Sequence, residues 1–471
     1  MRSSIVLDVG KTMSKLTLWS AGGNLLARET RPNARVAGLG FEALDAGGIE
    51  EWLLETLAAF ARLAPDIGHI LPVAHGAAAA IVRDGRLLLP PLDYEEPVPA
   101  DERRAYDRDR DGFERTGSPA LPHGLNLGAQ LHHLEARQPG VLEGAQILLW
   151  PQYWAWLLSG VAASEVTSLG CHSDLWHPVE ERASELAVRR GWAGRLPPLR
   201  RAGEVLGPLR PELARRLGLT ADLQVHAGLH DSNAALVAAR AFPEIAERES
   251  TVLSTGTWFV AMRTPAPGTQ VDIAALPEAR DCLVNVDAFG RPVPSARFMG
   301  GREIETLTGI DTRRIDIRPD QPSLVAALPS VLASGAMVLP TFAGGVGPFP
   351  NARGRWVGMP ADQAERRAAV SLYAALVAEV ALGLIGTRER ILVEGRFAEA
   401  EVFVRALATL RPDLAVYVAN AHNDVSFGAL RLLDPSLQPQ SSLRRVEPLE
   451  LDLTAYRSRW LAAAEQLEEA A

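Results

Sequence analysis

The residues with the clearest chemical promise lie between Val225 and Trp258. Val225-His226-Ala227-Gly228-Leu229-His230-Asp231-Ser232-Asn233-Ala234 sets one carboxylate, Asp231, on a glycine-containing turn ahead of an alanine-rich helix. A carboxylate placed there is aimed into space and can act as a base. The same residue also suits a helix cap, since Asp followed by Ser-Asn-Ala-Ala is good capping chemistry. Thr251-Val252-Leu253-Ser254-Thr255-Gly256-Thr257-Trp258 is an apolar strand running into a turn of small side chains, hydroxyls and free N–H groups, a composition that can surround phosphate. A base and a phosphate cradle this close in sequence point to phosphoryl transfer.

A similar hairpin opens the chain: Ile5-Val6-Leu7-Asp8-Val9-Gly10-Lys11-Thr12, then Ser14 to Trp19 in strand alternation. Asp8 ends a buried strand, where an unpaired carboxylate is costly. Its partner is either a hydrated Mg²⁺ on bound phosphates or the ammonium of Lys11 or Lys15. His75-Gly76 follows the strand Ile67 to Ala74, and its imidazole either meets substrate or is structural. Gln130, His172 and Trp258 are further candidate contacts, with surface helix, loop and core aromatic as their plainer roles. His132 and His133 point a quarter-turn apart on a helix and do not make a metal pair. His226 and His230 have no Gly-x-Ser-x-Gly nucleophile near them.

The elements that must position these residues alternate between strand and helix. Ile49, Trp52, Leu53, Leu57 and Phe60 share one helical face, and the strand Ile67 to Ala74 follows, which argues for α/β layering. Asp101 to Arg115, rich in both charge signs, reads as a solvated face. Pro151 starts a helix that Gly160 ends. Arg240 to Ser250 is the expected domain boundary. Ile391 to Arg396 is a strand and turn, Ala398 to Leu410 and Val425 to Leu433 are helices, and Leu453 to Glu469 reads as an exposed amphipathic helix on a polar tail. A length of 471 residues implies two to four domains. Hydrophobic residues at 47% and charged residues at 22% are ordinary for a globular protein, and the net charge of −9 argues against a nucleic-acid partner, which needs a basic face. Two cysteines make no disulfide framework, Cys171 reads as an inert buried thiol, and a reducing cytoplasm is expected. Ala368 to Gly386 carries Glu379 in its middle and reads as a core helix rather than a membrane span; no signal core is evident at the start.

Taken in order, these motifs resemble the FGGY family of carbohydrate kinases of the actin-like ATPase superfamily, over about residues 4 to 434. Asp8 to Thr12 resembles the family's first phosphate motif, Ser254 to Trp258 its second, and Gly228 to Asp231 the segment with the catalytic base. Pro340 to Gly358 is similar to a loop near the nucleotide, and Glu394-Gly395-Arg396 to the adenosine motif. His230-Asp231 and Asn126 to Leu131 resemble the rhamnulokinase- and fuculokinase-like members most. The resemblance implies an α/β fold of two actin-like (ribonuclease H-like) domains with the active site in the cleft between them: residues 1–240 for sugar and catalysis, 241–440 for nucleotide, and 441–471 as a tail. It implies ATP and Mg²⁺, a small ketose, and in many members a homodimer. Asp231 would be the catalytic base, with Asp8 and Asp231 at the metal. Gly10, Lys11, Thr12, Lys15, Thr255, Gly256, Thr257, Gly300, Gly344 and Gly395 would hold the nucleotide, and His75, Gln130, His172, His230 and Trp258 the sugar. Three positions depart from the pattern: Lys11 in place of a small residue, Ala77 to Ala80 in place of an acidic contact, and Glu399 in place of Asn.

Overall fold

The computed structural model describes residues 2–38, 40–419 and 425–470. The chain divides into two compact units. The first holds the chain up to Ala241, and Val284–Pro292 and the segment through Gln438 also belong to it. That segment carries a helix, Val425–Leu433, that sequence order alone assigns to the second half.

The first unit is built on a seven-stranded sheet that includes β1 (Ser3–Val9), β2 (Met13–Trp19), β3 (Leu25–Pro32), β4 (Ile67–Ala74), β5 (Val205–Pro208), β6 (Gln224–His226) and β7 (Leu229–His230). The order is β5-β6-β4-β1-β2-β3, with β7 also pairing β4. Side chains alternate between the two faces as strand geometry requires. Ile5, Leu7 and Val9 face a core that contains α1 (Ala46–Leu63) and α2 (Trp150–Ser159). Val6, Leu71 and Val73 face the opposite core, with Leu229, Ala234, Ala429 and Leu430. There α3 (Asp231–Ala239) lies against Val425–Leu433 so closely that a Cβ on Gly428 would sit 1.8 Å from the Ala234 carbonyl oxygen. This contact explains why the late helix belongs to the first unit. Within the charged run, Ala100–Asp109 is a helix whose Tyr106 is fully buried against Asp174.

The second unit repeats the arrangement. Its sheet includes, in order, Pro292–Phe298, β9 (Phe259–Thr264), β8 (Ser250–Thr255), β10 (Arg390–Gly395), β11 (Ala415–Ala419) and Leu443–Arg445. In both sheets an antiparallel hairpin (β1–β2, β8–β9) has a parallel strand on the other side of its first member (β4, β10). The core centres on α4 (Gln363–Leu384), which is long and apolar enough to cross a membrane, but 72% of its apolar stretch is buried in the protein. Glu379, the charge within its apolar stretch, accepts from Arg457 at 2.8 Å.

Arg457 lies on α5 (Thr454–Glu469), expected to be an exposed helix on a tail. Instead Tyr456, Trp460 and Ala464 are buried in the second core, and the Trp460 indole N–H donates to the Val338 carbonyl at 2.7 Å. Aromatic residues at four-residue spacing make the docking stripe. Trp460→Ala is expected to cost about 3–5 kcal/mol of stability, read by chemical denaturation; an unchanged midpoint would mean that the helix is not part of this core.

Candidate active site

Three parallel strands of the first sheet end level with one another. Asp8 is opposite Val73 and Val9 opposite Ala74, while Leu229 is opposite Val73 and His230 opposite Ala74. The residues leaving these ends are therefore Gly10, His75 and Asp231, at the carboxyl edge where open α/β sheets bind ligands. Asp231 is the first residue of α3, and His230 occupies the cap position without a capping side chain. The carboxylate is thus not the cap. Its Oδ1 accepts the Ser232 N–H at 2.6 Å, lies 3.2 Å from His230 Nε2, and the side chain keeps 30% of its surface exposed.

Beside it sits a cluster of imidazoles. His75 is buried, and its Nδ1 lies 2.7 Å from the Gly76 carbonyl. Only an N–H can satisfy that oxygen, so Nε2 is left as an acceptor. Burial keeps this ring's pKa below the usual histidine value. Gly76 has no room for a side chain, since a Cβ would come within 3.0 Å of both Cys171 Sγ and His230 Nε2. Cys171 is buried, as expected. Its sulfur lies 3.7 Å from His230 Nε2. Burial opposes its ionisation, yet the charges of His172 and His230 outweigh burial and bring the thiol down to about 5. Burial likewise opposes charge on His230, and Cys171 with Asp231 overcomes it, raising the imidazole to about 9.

The other expected residues of this unit divide. Asp8 pairs with Lys15 at 3.2 Å, the ammonium alternative to a metal. Lys11 turns to Asp93 and stands 4.6 Å from the centre of the Tyr94 ring. Gln130, expected at substrate, is 2% exposed, and its amide donates at 2.6 Å to the carbonyls of both Ala77 and Gly124. Two backbone acceptors use both of its N–H bonds, so it holds the alanine run in place instead. His172 is half-buried with Nδ1 2.8 Å from the Leu125 carbonyl, next to Cys171.

In the second unit the phosphate-type turn follows β8. Thr255 is 2% exposed; its hydroxyl donates to the Glu394 carbonyl at 2.5 Å and accepts the Phe397 N–H at 3.1 Å. It was expected at phosphate, but its hydroxyl is committed inside the unit. Gly395, at φ +87°, lies where a Cβ would meet the Thr255 carbonyl oxygen at 2.3 Å. Gly256 and Thr257 are half-exposed. The amino end of the helix Gly300–Thr308 abuts them, because Gly301 has no side chain to clash with the Gly256 carbonyl. Glu303 of that helix accepts the N–H groups of Phe342 and Ala343 at 2.8 and 2.9 Å, which fixes the loop bearing exposed Gly344. Trp258 lies under the Arg297 guanidinium at 5.1 Å.

Several supporting residues escape a reading of the sequence. Gln152 donates to the carbonyls of Ala227 and Gly228 at 3.0 and 3.1 Å, clamping the turn into β7. A lone amide in Trp150-Pro151-Gln152-Tyr153-Trp154 was a legible signal, since a buried amide needs partners. Glu165 and Thr167 have no such signal. Burial pushes the fully buried Glu165 carboxyl up to about 7, against hydrogen bonds from Thr167. A raised acid binds its proton more tightly when folded, so its contribution is most favourable below the unfolded value of about 4.3 and is lost as pH rises toward 7. Glu165→Gln cannot ionise and should gain thermal stability relative to the parent between about pH 5 and about pH 8; a constant difference in melting temperature would refute the buried charge.

Residues 247–441 match the model of the carbohydrate kinase FGGY C-terminal domain. The chain is 27% identical over 313 residues to the L-fuculokinase of Escherichia coli K12, covering 60% of each protein, and 26% identical over 298 residues to that of Salmonella typhi. It therefore spans less than two thirds of the length of these curated relatives. Among solved structures, a carbohydrate kinase from Novosphingobium aromaticivorans is 59% identical, with 99% of each chain covered and a TM-score of 0.95. A xylulose kinase from Rhodospirillum rubrum shares the fold at 18% identity, with 100% of this chain and 99% of that one covered and a TM-score of 0.80. With its two actin-like domains, this chain belongs to the FGGY family of carbohydrate kinases.

Proposed function

We propose that the protein transfers the γ-phosphoryl group of ATP to a hydroxyl of a small ketose, either a deoxyhexulose or a pentulose. The observation that carries this reading is the half-exposed Asp231 carboxylate, level with Gly10 and His75 at the carboxyl edge of three parallel strands. The relatives named L-fuculokinase favour a six-carbon deoxyketose, and the family membership favours ATP as donor.

A sugar hydroxyl is a poor nucleophile at neutral pH. Asp231 accepts its proton as the phosphoryl group arrives, help worth about 10²–10⁴ in rate. His75, with Nε2 free to accept, takes a hydrogen bond from a second hydroxyl and orients the sugar. The Thr257 hydroxyl and the amino end of the helix Gly300–Thr308 offer donors to phosphate. Asp8, one partly exposed carboxylate at a strand end, suits a Mg²⁺ that keeps most of its waters, in place of its contact with Lys15. Mg²⁺ bound there would neutralise charge on the phosphates. Two free thiols, Cys171 and Cys282, suit a reducing cytoplasm.

ADP release measured against L-rhamnulose, L-fuculose, xylulose, ribulose and erythritol tests the assignment. Turnover with a ketose is expected; turnover with erythritol alone would move the acceptor class to sugar alcohols, and sugar-independent ADP release would make the protein a non-sugar ATPase. Asp231→Asn should bind ATP nearly as the parent does and lose about 10²-fold or more of kcat. Near-normal phosphorylation by that variant would remove Asp231 from its role as base.

A further inference from the structure

The strand that delivers Asp231 is only two residues long, Leu229–His230. Two residues of pairing with Val73 and Ala74 fix little, so the turn relies on anchors at both ends. Gln152 anchors the entrance through the carbonyls of Ala227 and Gly228. At the exit, the buried His230 N–H donates to Thr167 Oγ1 at 2.9 Å. Thr167 is fully buried, as is Glu165. A hydroxyl that accepts there must send its own proton elsewhere, and Thr167 sends it to Glu165 Oε2 at 2.5 Å. The same carboxylate oxygen accepts the Thr167 N–H at 3.0 Å, which locks the threonine at the start of the short helix Val166–Leu169.

We infer that Thr167, oriented by Glu165, is a positioning residue that sets where the base of the phosphoryl transfer stands, through the backbone N–H of His230. This rests on the reading of Asp231 as base. Neither side chain touches the reacting atoms, so their effect passes through backbone placement. Without the hydroxyl, a buried N–H loses its acceptor and the exit of β7 is free to shift. A displacement of about 1 Å in a catalytic group can cost about 10²-fold in rate.

Three variants decide it: Thr167→Val, which keeps the shape and removes the hydroxyl; Thr167→Ala, should the valine disturb folding; and Thr167→Ser, which restores the hydroxyl. The full-length chain is measured for ketose-dependent ADP release, melting temperature and hydrogen exchange at the His230 amide. Thr167→Val or Thr167→Ala should lose about 10–10² in kcat with the sugar KM little changed. The His230 amide should lose protection in both, and Thr167→Ser should recover both rate and protection. Unaltered kcat in a folded Thr167→Val, or a serine variant as slow as the valine, would overturn the inference while leaving the base assignment intact. If the parent shows no sugar-dependent turnover, the proposed function fails and amide exchange alone decides. Protection lost in Val and kept in Ser supports the anchor; unchanged protection refutes it.

Discussion

Parallel register is the constraint on which the first unit depends. Because β4 pairs in register with β1 on one side and β7 on the other, three chain ends emerge at one level. A slip of one residue in β7 would turn every side chain over and move Asp231 away from His75. The register is guarded where it is weakest. Long strands such as β1 hold themselves through alternating burial in two cores, whereas the two-residue β7 borrows its fixity from side chains on α2 and on the Val166–Leu169 helix. Specific chemistry at the edge is thus supported by polar contacts buried behind it.

The second sheet uses the same hairpin and parallel neighbour for a different surface. Where β1 and β4 lead to Gly10 and His75, β8 and β10 lead to Gly256 and Arg396. The first edge presents ionisable side chains, whose strengths burial and mutual charge adjust. The second presents glycines, a hydroxyl and a helix end beside Arg396, a set made of donors. One topology therefore presents ionisable side chains in one unit and hydrogen-bond donors in the other.

Much of this was legible in the sequence, for definite reasons. The hairpins, the strand before His75 and the turn before Asp231 declare themselves through local periodicity and glycine placement. Gln130, Thr255 and Lys11 have the residue types expected at ligand, yet each is committed within its own unit: to the Ala77 carbonyl, the Glu394 carbonyl and Asp93. Type and spacing do not reveal such commitments, because the partners lie far away in sequence. Thr167, with Glu165 behind it, was invisible for the same reason, as its value lies in contact with His230, over sixty residues on. The C-terminal helix reads as exposed in the sequence because a Tyr-Trp stripe on a charged helix docks only when a groove awaits it.

The buried hydroxyl of Thr255 has a consequence of its own. By joining the end of β8 to Glu394 and Phe397, it makes the turn at Gly256 and the turn at Gly395 one stiff piece. Thr255 pairs directly with Gly395, so the two turns lie side by side. Loss of this one hydroxyl would therefore free both of them at once.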